Sequence, residues 1–371
     1  MNFLKKILRT LKSLFIIIFI TFTLSLIIDF FFGKLILKKI DTFLANTNFY
    51  ERLIRQDHKF YHHTLKKNVK YEKARSFSGF FTLCTDNHGF KYKCEVKRDK
   101  NFEIAFLGDS FVEGVALDYK KTFVGIFEEE KKTSIANLGV TSYAPSIYLS
   151  KIKYLLNNGF KFKHLIVFID ISDLYDDNTF YKLNMDFSVS EKNAKKKRLK
   201  LRKFLRTNFP ITNYYMYVIK MNNRFNDETP PIISNEPIFH KKAELKAMWT
   251  YSDLNQLDGF DEPILKTKVE MINTMNELYK ILYSKDIKLS LAVYPWPQQL
   301  KNDVINSKHV KMWKEFCDGK CFKFIDFFPF FFVEKKKSSF LEVYKKYYFW
   351  NDVHFNSEGN KIIADRLIKE F

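Results

Sequence analysis

Short runs of apolar residues alternate with longer amphipathic stretches over most of the chain after residue 100. Five of these runs have the length and composition of buried strands: Glu103–Leu107, Ser134–Leu138, His164–Ile169, Lys288–Val293 and Phe322–Asp326. The stretches between and after them predict helices over Thr122–Lys132, Pro145–Asn157 and Leu265–Ser284, one ending near Phe316, and a last one over Ser357–Phe371. This alternation predicts an α/β domain with a mostly parallel sheet over residues 101–371.

The alternation is interrupted between residues 178 and 262, where no strand-like run of comparable strength occurs. We interpret this region as an inserted, largely helical segment. Its first part, Lys192–Arg206 (KNAKKKRLKLRKFLR), is densely basic. Such a run is typical of a solvated charged helix, or of a surface attracted to anionic headgroups or an acidic glycan. Nucleic acid is the weakest of the three alternatives, because an anchored, exported domain would not meet it.

An apolar run near the start of the chain has the length of a membrane span. Residues 13–32 form about 20 predominantly apolar residues with a single charge, Asp29, near one end. A cleaved secretory signal is the alternative, but GKLILKK follows where a small-residue cleavage site would stand. The prediction is an uncleaved single-pass anchor with Asp29 at the interface, preceded by a cytoplasmic tail of residues 1–12.

The remainder of the chain, from Lys34 onward, is predicted to lie outside the cytoplasm, in the periplasm or at the cell surface. Residues 33–100 are polar, aromatic and basic with weak periodicity, and are interpreted as a lead-in subdomain. The four cysteines form two sequence-close pairs, Cys84 with Cys94 and Cys317 with Cys321. In an exported domain such pairs favour disulfides; four buried thiols are the alternative, and a zinc site fits the spacing poorly.

Composition excludes several classes of protein. With 46% hydrophobic residues the chain can bury a core, which excludes low-hydrophobicity disorder. Only 11 Gly and 9 Pro in 371 residues exclude a collagen-like or linker-dominated chain. The formal net charge is +20, and the basic insertion and the residues before the anchor hold much of it.

Chemistry is concentrated in two short motifs. Gly108-Asp109-Ser110 follows the first predicted strand, where a serine would be exposed at the carboxyl edge of the sheet as a nucleophile. Asp352 and His354 lie two residues apart just before the last helix, so that the carboxylate could orient an imidazole towards a serine. Taken alone, each motif could also be an ordinary helix cap or loop hydrogen bond.

Together these motifs resemble those of the SGNH (GDSL-type) hydrolase superfamily over residues 101–371. The family shares conserved sequence blocks in a fixed order. Its nucleophile block matches Gly108-Asp109-Ser110 with the downstream Gly114, and its glycine block matches Asn137-Leu138-Gly139-Val140. Its last block matches Asp352 and His354. The resemblance implies a three-layer, flavodoxin-like α/β/α fold and a catalytic triad of Ser110, His354 and Asp352. It also implies an oxyanion hole that contains the amides of Ser110 and Gly139.

Two positions depart from the family pattern. Ser172 stands where the third block normally supplies an asparagine to the oxyanion hole; its hydroxyl could donate instead, or Asn178 could. Many members have the aspartate three residues before the histidine, and here that position is Asn351. Members that resemble polysaccharide O-acetylation enzymes use the two-residue spacing, which favours Asp352.

The resulting expectation is a membrane-anchored serine ester hydrolase that removes small acyl groups, first of all acetyl, from a cell-envelope glycan or lipid. An O-acyltransferase of the same fold, working with envelope polysaccharide machinery, and a non-catalytic glycan-binding or assembly protein are the alternatives. No cofactor is expected, and the histidines show no metal-ligand spacing. Tyr294 and Trp296, after the fourth strand, are predicted to line a sugar pocket or to pack in the core.

Overall fold

The computed structural model describes residues 2–44, 54–76, 79–192, 204–205, 208–213, 215–216 and 236–371. The chain forms two compact units, Met1–Leu44 with Asn193–Asn235 and Ala45–Lys192 with Glu236–Phe371. The first unit contains the long helix α1 (Asn2–Leu44). Within it, Thr10–Gly33 has a mean hydropathy of 2.6 and is long and apolar enough to cross a bilayer. The predicted span, residues 13–32, lies inside this stretch.

The second unit carries the α/β pattern predicted from the sequence. Its strands are β1 (Arg55–His58), β2 (His62–Leu65), β3 (Lys70–Ser76), β4 (Gly79–Cys84), β5 (Asn101–Leu107), β6 (Ile135–Asn137), β7 (Lys161–Ile169), β8 (Tyr181–Leu183), β9 (Val189–Glu191), β10 (Lys288–Val293) and β11 (Lys323–Asp326). Its helices are α2 (Ser110–Glu113), α3 (Phe123–Lys131), α4 (Pro145–Asn157), α5 (Asp173–Thr179), α6 (Lys241–Ala247), α7 (Ile264–Tyr283), α8 (Pro297–Asn302), α9 (Lys308–Cys317), α10 (Phe328–Lys337), α11 (Phe340–Tyr347) and α12 (Ser357–Glu370).

The central sheet has five parallel strands in the order β11-β10-β7-β5-β6. The chain moves across the sheet in one direction from β5 to β6 and in the opposite direction from β6 to β7, β10 and β11. Because parallel crossovers are right-handed, this reversal places α3 on one face of the sheet and α4 and α7 on the other. Helix α12 returns to the first face and packs against α3, while α7 packs against α4. The fold is therefore the three-layer α/β/α architecture that the family resemblance implies.

Local sequence explains where the main helices begin. The Thr122 side chain accepts the Gly125 amide at the start of α3, Pro145 occupies the first turn of α4, and the Asn356 side chain accepts the Gly359 amide at the start of α12. The inner strands β7 and β10 are buried on both faces over most of their length, and five of six residues of β10 are buried. All five predicted strands and the predicted helices are present, with ends that differ by at most three residues where both ends were predicted.

The lead-in region forms two antiparallel hairpins, β1-β2 and β3-β4, outside the central sheet. Residues 87–89 form a turn after β4, in which the Gly89 amide donates to Asp86 O at 3.1 Å. Disulfides join Cys84 to Cys94 and Cys317 to Cys321, as predicted. A short hairpin, β8-β9, occupies part of the region in which no comparable strand was expected.

Candidate active site

The turn after β5 places Ser110 at the carboxyl edge of the sheet. Asp109 caps α2, because its Oδ1 accepts the Phe111 amide at 3.0 Å, and Ser110 is the first residue of that helix. Gly114 ends the helix at φ 70°, and a Cβ there would lie 2.1 Å from the Thr122 methyl carbon. The motif glycine is therefore required by both backbone conformation and space.

The structure brings the three predicted triad residues together. His354 Nε2 lies 2.7 Å from Ser110 Oγ, and His354 Nδ1 lies 2.5 Å from Asp352 Oδ1. The serine is 5% exposed, whereas the side chains of His354 and Asp352 are 19% and 26% exposed. This hydrogen-bonded order of hydroxyl, imidazole and carboxylate is the arrangement that activates a serine nucleophile.

The loop before α12 holds the histidine in this position. Tyr344 OH donates to Asp352 O at 2.9 Å, and Asp352 Oδ1 also accepts the His354 amide at 2.9 Å. Asn351, at the spacing that many family members use, instead accepts the Ile238 amide at 2.8 Å. The two-residue spacing therefore supplies the carboxylate partner of His354.

The ion pair within the triad changes both ionisation equilibria. Burial favours the neutral imidazole, but the Asp352 carboxylate outweighs burial and raises the pKa of His354 to about 9. Burial would raise the pKa of Asp352, but the neighbouring His354 charge lowers it below its usual value. At neutral pH the resting site therefore holds an imidazolium paired with a carboxylate.

The Ser110 hydroxyl has a second acceptor, because Asp109 Oδ2 lies 3.0 Å from Ser110 Oγ. Burial and the neighbouring Asp170 raise the pKa of Asp109. While His354 is protonated, its Nε2–H donates to Ser110 Oγ and the hydroxyl hydrogen is directed to Asp109. Loss of the imidazole proton lets the hydroxyl donate to Nε2, which is the orientation that proton abstraction requires.

The predicted oxyanion donors lie on neighbouring loops. The Ser110 amide is at the start of α2, where helix geometry provides no intrahelical acceptor. The Gly139 amide donates to Asn137 Oδ1 at 3.1 Å, so it would have to leave this bond to bind an oxyanion. The Ser172 hydroxyl does not cap α5, and its role stays a prediction.

Asn178, the other donor considered from the sequence, is committed elsewhere. Its Nδ2 donates to Glu262 O at 2.8 Å and to Thr267 Oγ1 at 2.6 Å, and its Oδ1 accepts the Asp261 amide at 2.7 Å. These bonds tie the end of α5 to the start of α7. Because both hydrogens of the amide are used, Asn178 does not serve as a replacement oxyanion donor.

Aromatic residues after β10 support the site from inside the core. Tyr294 OH and Trp296 Nε1 donate to Asp170 Oδ2 at 3.0 and 2.6 Å. Tyr294 is 0% exposed and Trp296 5% exposed, so the core-packing alternative applies rather than a sugar platform. Phe111 packs between Tyr294 and His354, with ring centroids 4.6 and 4.9 Å away, respectively.

A buried ion pair that sequence reasoning missed links the lead-in region to the site. Arg55, on β1, lies 3.2 Å from Glu113 on α2 and donates to Thr141 Oγ1 at 2.8 Å. Glu113 also accepts the Thr141 amide at 2.7 Å. The pair thereby holds the loop after β6 against the helix that carries Ser110. No local signal marked Arg55, because its partner is 58 residues away.

A buried lysine also contacts the loop after β6. Lys151 Nζ donates to Leu138 O at 2.9 Å and contacts Tyr143 OH at 3.3 Å. Burial lowers the pKa of this amine to about 7.

Replacing Glu113 by alanine should lower the free energy of unfolding by about 2–4 kcal/mol, because it leaves the largely buried Arg55 without its partner. The measurement is chemical denaturation of the full chain in detergent micelles. Glu103→Ala is the matched control, since the ion pair of Glu103 with Lys163 is largely exposed and should contribute under about 1 kcal/mol. Equal effects of the two substitutions would contradict a structural role for the Arg55 pair.

Within the part of the chain that the structure describes, no group of three or more His, Cys, Asp or Glu side chains could hold a metal ion. No protein-family model and no curated protein matches the sequence. The solved structures that match include a lipolytic protein of the G-D-S-L family from Desulfitobacterium hafniense, with 9% identity, 74% of this chain and 100% of that chain covered and a TM-score of 0.35.

They also include the psychrotrophic esterase EstA from Pseudoalteromonas sp., with 11% identity, 73% of this chain and 96% of that chain covered and a TM-score of 0.37. A G-D-S-L family lipolytic protein from Veillonella parvula has 12% identity, coverage of 72% and 97%, and a TM-score of 0.37. The order of the motif blocks, the parallel sheet and the hydrogen-bonded triad are features of this chain itself. In these features the chain is similar to the SGNH hydrolases.

Proposed function

We propose that residues 101–371 form a serine ester hydrolase of the SGNH type, anchored to a membrane by the apolar part of α1. Its proposed substrates are acyl esters of a cell-envelope glycan or lipid, with acetyl esters the preferred candidates. The observation that carries the proposal is the hydrogen-bonded chain from Ser110 through His354 to Asp352. Ser110 Oγ lies 2.7 Å from His354 Nε2, and His354 Nδ1 lies 2.5 Å from Asp352 Oδ1. A serine bonded to an imidazole that a carboxylate orients favours catalysis over the non-catalytic glycan-binding or assembly alternative.

In the proposed reaction, neutral His354 takes the proton of the Ser110 hydroxyl as Oγ attacks the ester carbonyl. Asp352 orients the imidazole and stabilises its positive charge. The Ser110 amide, with Gly139 and Ser172 as further proposed donors, stabilises the negative oxygen of the tetrahedral intermediate. His354 then protonates the departing alcohol, and water, activated by the same imidazole, releases the acid and restores Ser110. This chemistry requires no cofactor.

Two features support a location outside the cytoplasm. The disulfides Cys84–Cys94 and Cys317–Cys321 are of the kind that persists in oxidising compartments. The stretch Thr10–Gly33 can serve as a single-pass anchor close to the N-terminus. A catalytic domain tethered in this way would meet acylated glycans or lipids at the cell surface or in the periplasm.

The function can be tested on the intact protein in detergent with a fluorophosphonate probe, which phosphonylates activated serines. The expected result is a single adduct, which peptide mapping assigns to Ser110. An unlabelled, folded protein, or a label on another serine, would contradict the proposed nucleophile. Turnover of p-nitrophenyl acetate with and without an added glycan acceptor then separates hydrolysis, which releases acetate, from acyl transfer, which acetylates the glycan.

Replacing Ser172 by asparagine should raise kcat by about tenfold or more if position 172 faces the oxyanion hole and the serine hydroxyl is a weaker donor there than a carboxamide. Loss of one such donor typically costs about 10²–10³-fold, and a carboxamide restores the donor that the family uses. The measurement is kcat for p-nitrophenyl acetate, with thermal unfolding to check that the buried site accepts the larger side chain. An equally active, folded variant would remove Ser172 from the oxyanion hole.

A further inference from the structure

Asp29 is a buried carboxylate on an otherwise exposed apolar helix. It is 3% exposed, whereas its neighbours Ile28 and Phe30 on α1 are 51% and 44% exposed. Its two oxygens accept the backbone amides of Ile211 at 2.9 Å and Thr212 at 2.7 Å. A carboxylate in an apolar span is costly unless hydrogen bonds satisfy it, and here part of the insertion supplies those bonds.

Packing around Asp29 indicates a specific contact. The rings of Phe30 and Phe209 lie 5.8 Å apart between centroids. At Gly33, an added Cβ would meet Asp29 Oδ1 at 2.2 Å and Pro210 Cγ at 2.9 Å, so only glycine permits this close approach. Residues 209–212 are therefore docked on the last turns of the apolar stretch Thr10–Gly33.

Large apolar side chains on either side of the docked residues 209–212 are exposed. Phe204, Leu205 and Met216 are 53%, 42% and 64% exposed. The sequence just before Phe204, residues 195–203, contains seven lysines and arginines in nine residues, KKKRLKLRK. Residues 195–203 lie outside the described part of the structure, and their contribution here is their charge alone. Apolar side chains beside dense positive charge are typical of segments that lie in a membrane interface.

We propose that the described residues between 204 and 216, namely 204–205, 208–213 and 215–216, lie in the membrane interface at the C-terminal end of the span. Asp29 holds them there, and the positive charge of residues 195–203 attracts anionic lipid headgroups. The inference rests on the anchoring part of the proposed function and is independent of ester hydrolysis. It explains why an acidic residue is placed near one end of the apolar stretch. It also gives the insertion a function, since the span and the docked segment would hold the chain to the membrane at two points.

The test is a depth measurement on the full chain in lipid nanodiscs. A nitroxide is attached at Met216→Cys, and the native cysteines do not interfere because all four form disulfides. Met185→Cys is the matched aqueous control, since Met185 is 100% exposed in the second unit. Ile20→Cys, near the middle of the span, is the reference for the bilayer interior. Relaxation by oxygen, which enters lipid, is compared with relaxation by a water-soluble nickel chelate.

The expected ratio of oxygen to nickel relaxation at Met216 lies between those of Met185 and Ile20, several-fold above that of Met185. It should rise further when phosphatidylglycerol replaces part of the phosphatidylcholine. If the ratio at Met216 equals that at Met185 while the ratio at Ile20 is that of the bilayer interior, the interfacial placement is overturned and the span is not. If the ratio at Ile20 is as low as that at Met185, both the membrane span and the interfacial placement are overturned. Identical ratios at Met216 in the two lipid mixtures would overturn the headgroup contribution.

Asp29→Leu tests the contact itself in the same nanodiscs. It removes both acceptors without making the span more polar, so the ratio at Met216 should change while the ratio at Ile20 stays constant. Asp29→Asn retains one carbonyl acceptor and should preserve the parent value in part. An unchanged ratio at Met216 in Asp29→Leu would show that Asp29 does not hold the segment in place.

Discussion

Replacing Ser110 by alanine should reduce turnover of p-nitrophenyl acetate by the intact protein by roughly 10⁴–10⁶-fold. The substitution removes the oxygen that attacks the carbonyl, and neither His354 nor Asp352 can replace it. The fold should be retained, because Asp109 still caps α2 through the Phe111 amide. The measurement is steady-state kcat/KM in detergent micelles, with circular dichroism to verify folding.

Ser290→Ala is the control for this substitution. Ser290 is also buried, and its hydroxyl contacts His164 at 2.9 Å within the sheet, away from the loops of the site. Its loss should reduce stability by about 1 kcal/mol and leave kcat/KM within a few-fold of the parent value. If Ser110→Ala retained the activity of Ser290→Ala, the proposed nucleophile would be wrong.

Replacing Asp352 by asparagine should lower kcat by about 10⁴-fold, because the imidazole loses the carboxylate that fixes its tautomer and stabilises its charge. It should also change the pH dependence. The neutral form of His354 is the active base, and its pKa is about 9, so kcat/KM of the parent should rise about tenfold per pH unit up to about pH 9. Without Asp352 that pKa falls, and the rise should occur at lower pH.

The pH profile distinguishes this role from a purely structural one. A variant that only loosened the loop would lower activity at every pH without moving the midpoint of the profile. Asp318→Asn, at an exposed residue after α9, is the control and should retain both the activity and the midpoint of the parent. An unshifted midpoint in Asp352→Asn would show that Asp352 does not set the ionisation of His354.

Most of the central sheet could be predicted from the sequence because its information is local. Strands such as β7 and β10 are apolar runs buried on both faces, and their boundaries follow from where those runs end. Helices α10 and α11 were not predicted. In α10 the apolar residues are consecutive phenylalanines, so no helical periodicity marks the buried side. Hairpin β8-β9 was missed because each of its strands has three residues.

The candidate site divides in the same way. Ser110, Asp352 and His354 each stand in a short motif whose residue types and spacing indicate their chemistry. Arg55 has no such motif, and its partner Glu113 is recognisable only once β1 and α2 are in contact. Long-range pairs of this kind depend on where the chain returns in space, which neither periodicity nor local spacing encodes.

The sequence by itself determined the α/β alternation, the apolar stretch of α1, the two sequence-close pairs of cysteines and the motifs that contain Ser110 and His354, since each depends on composition or spacing over a few residues. Only the tertiary structure decided that Asp352 rather than Asn351 is the partner of His354, and that Asn178 is used to join α5 to α7. It also decided that Asp29 is bonded to the insertion. The physical reason is that a polar group's partner is set by which segments pack together, and those segments can be far apart in the chain. Asp29 and Thr212 are 183 residues apart, and Ser110 and His354 are 244 residues apart.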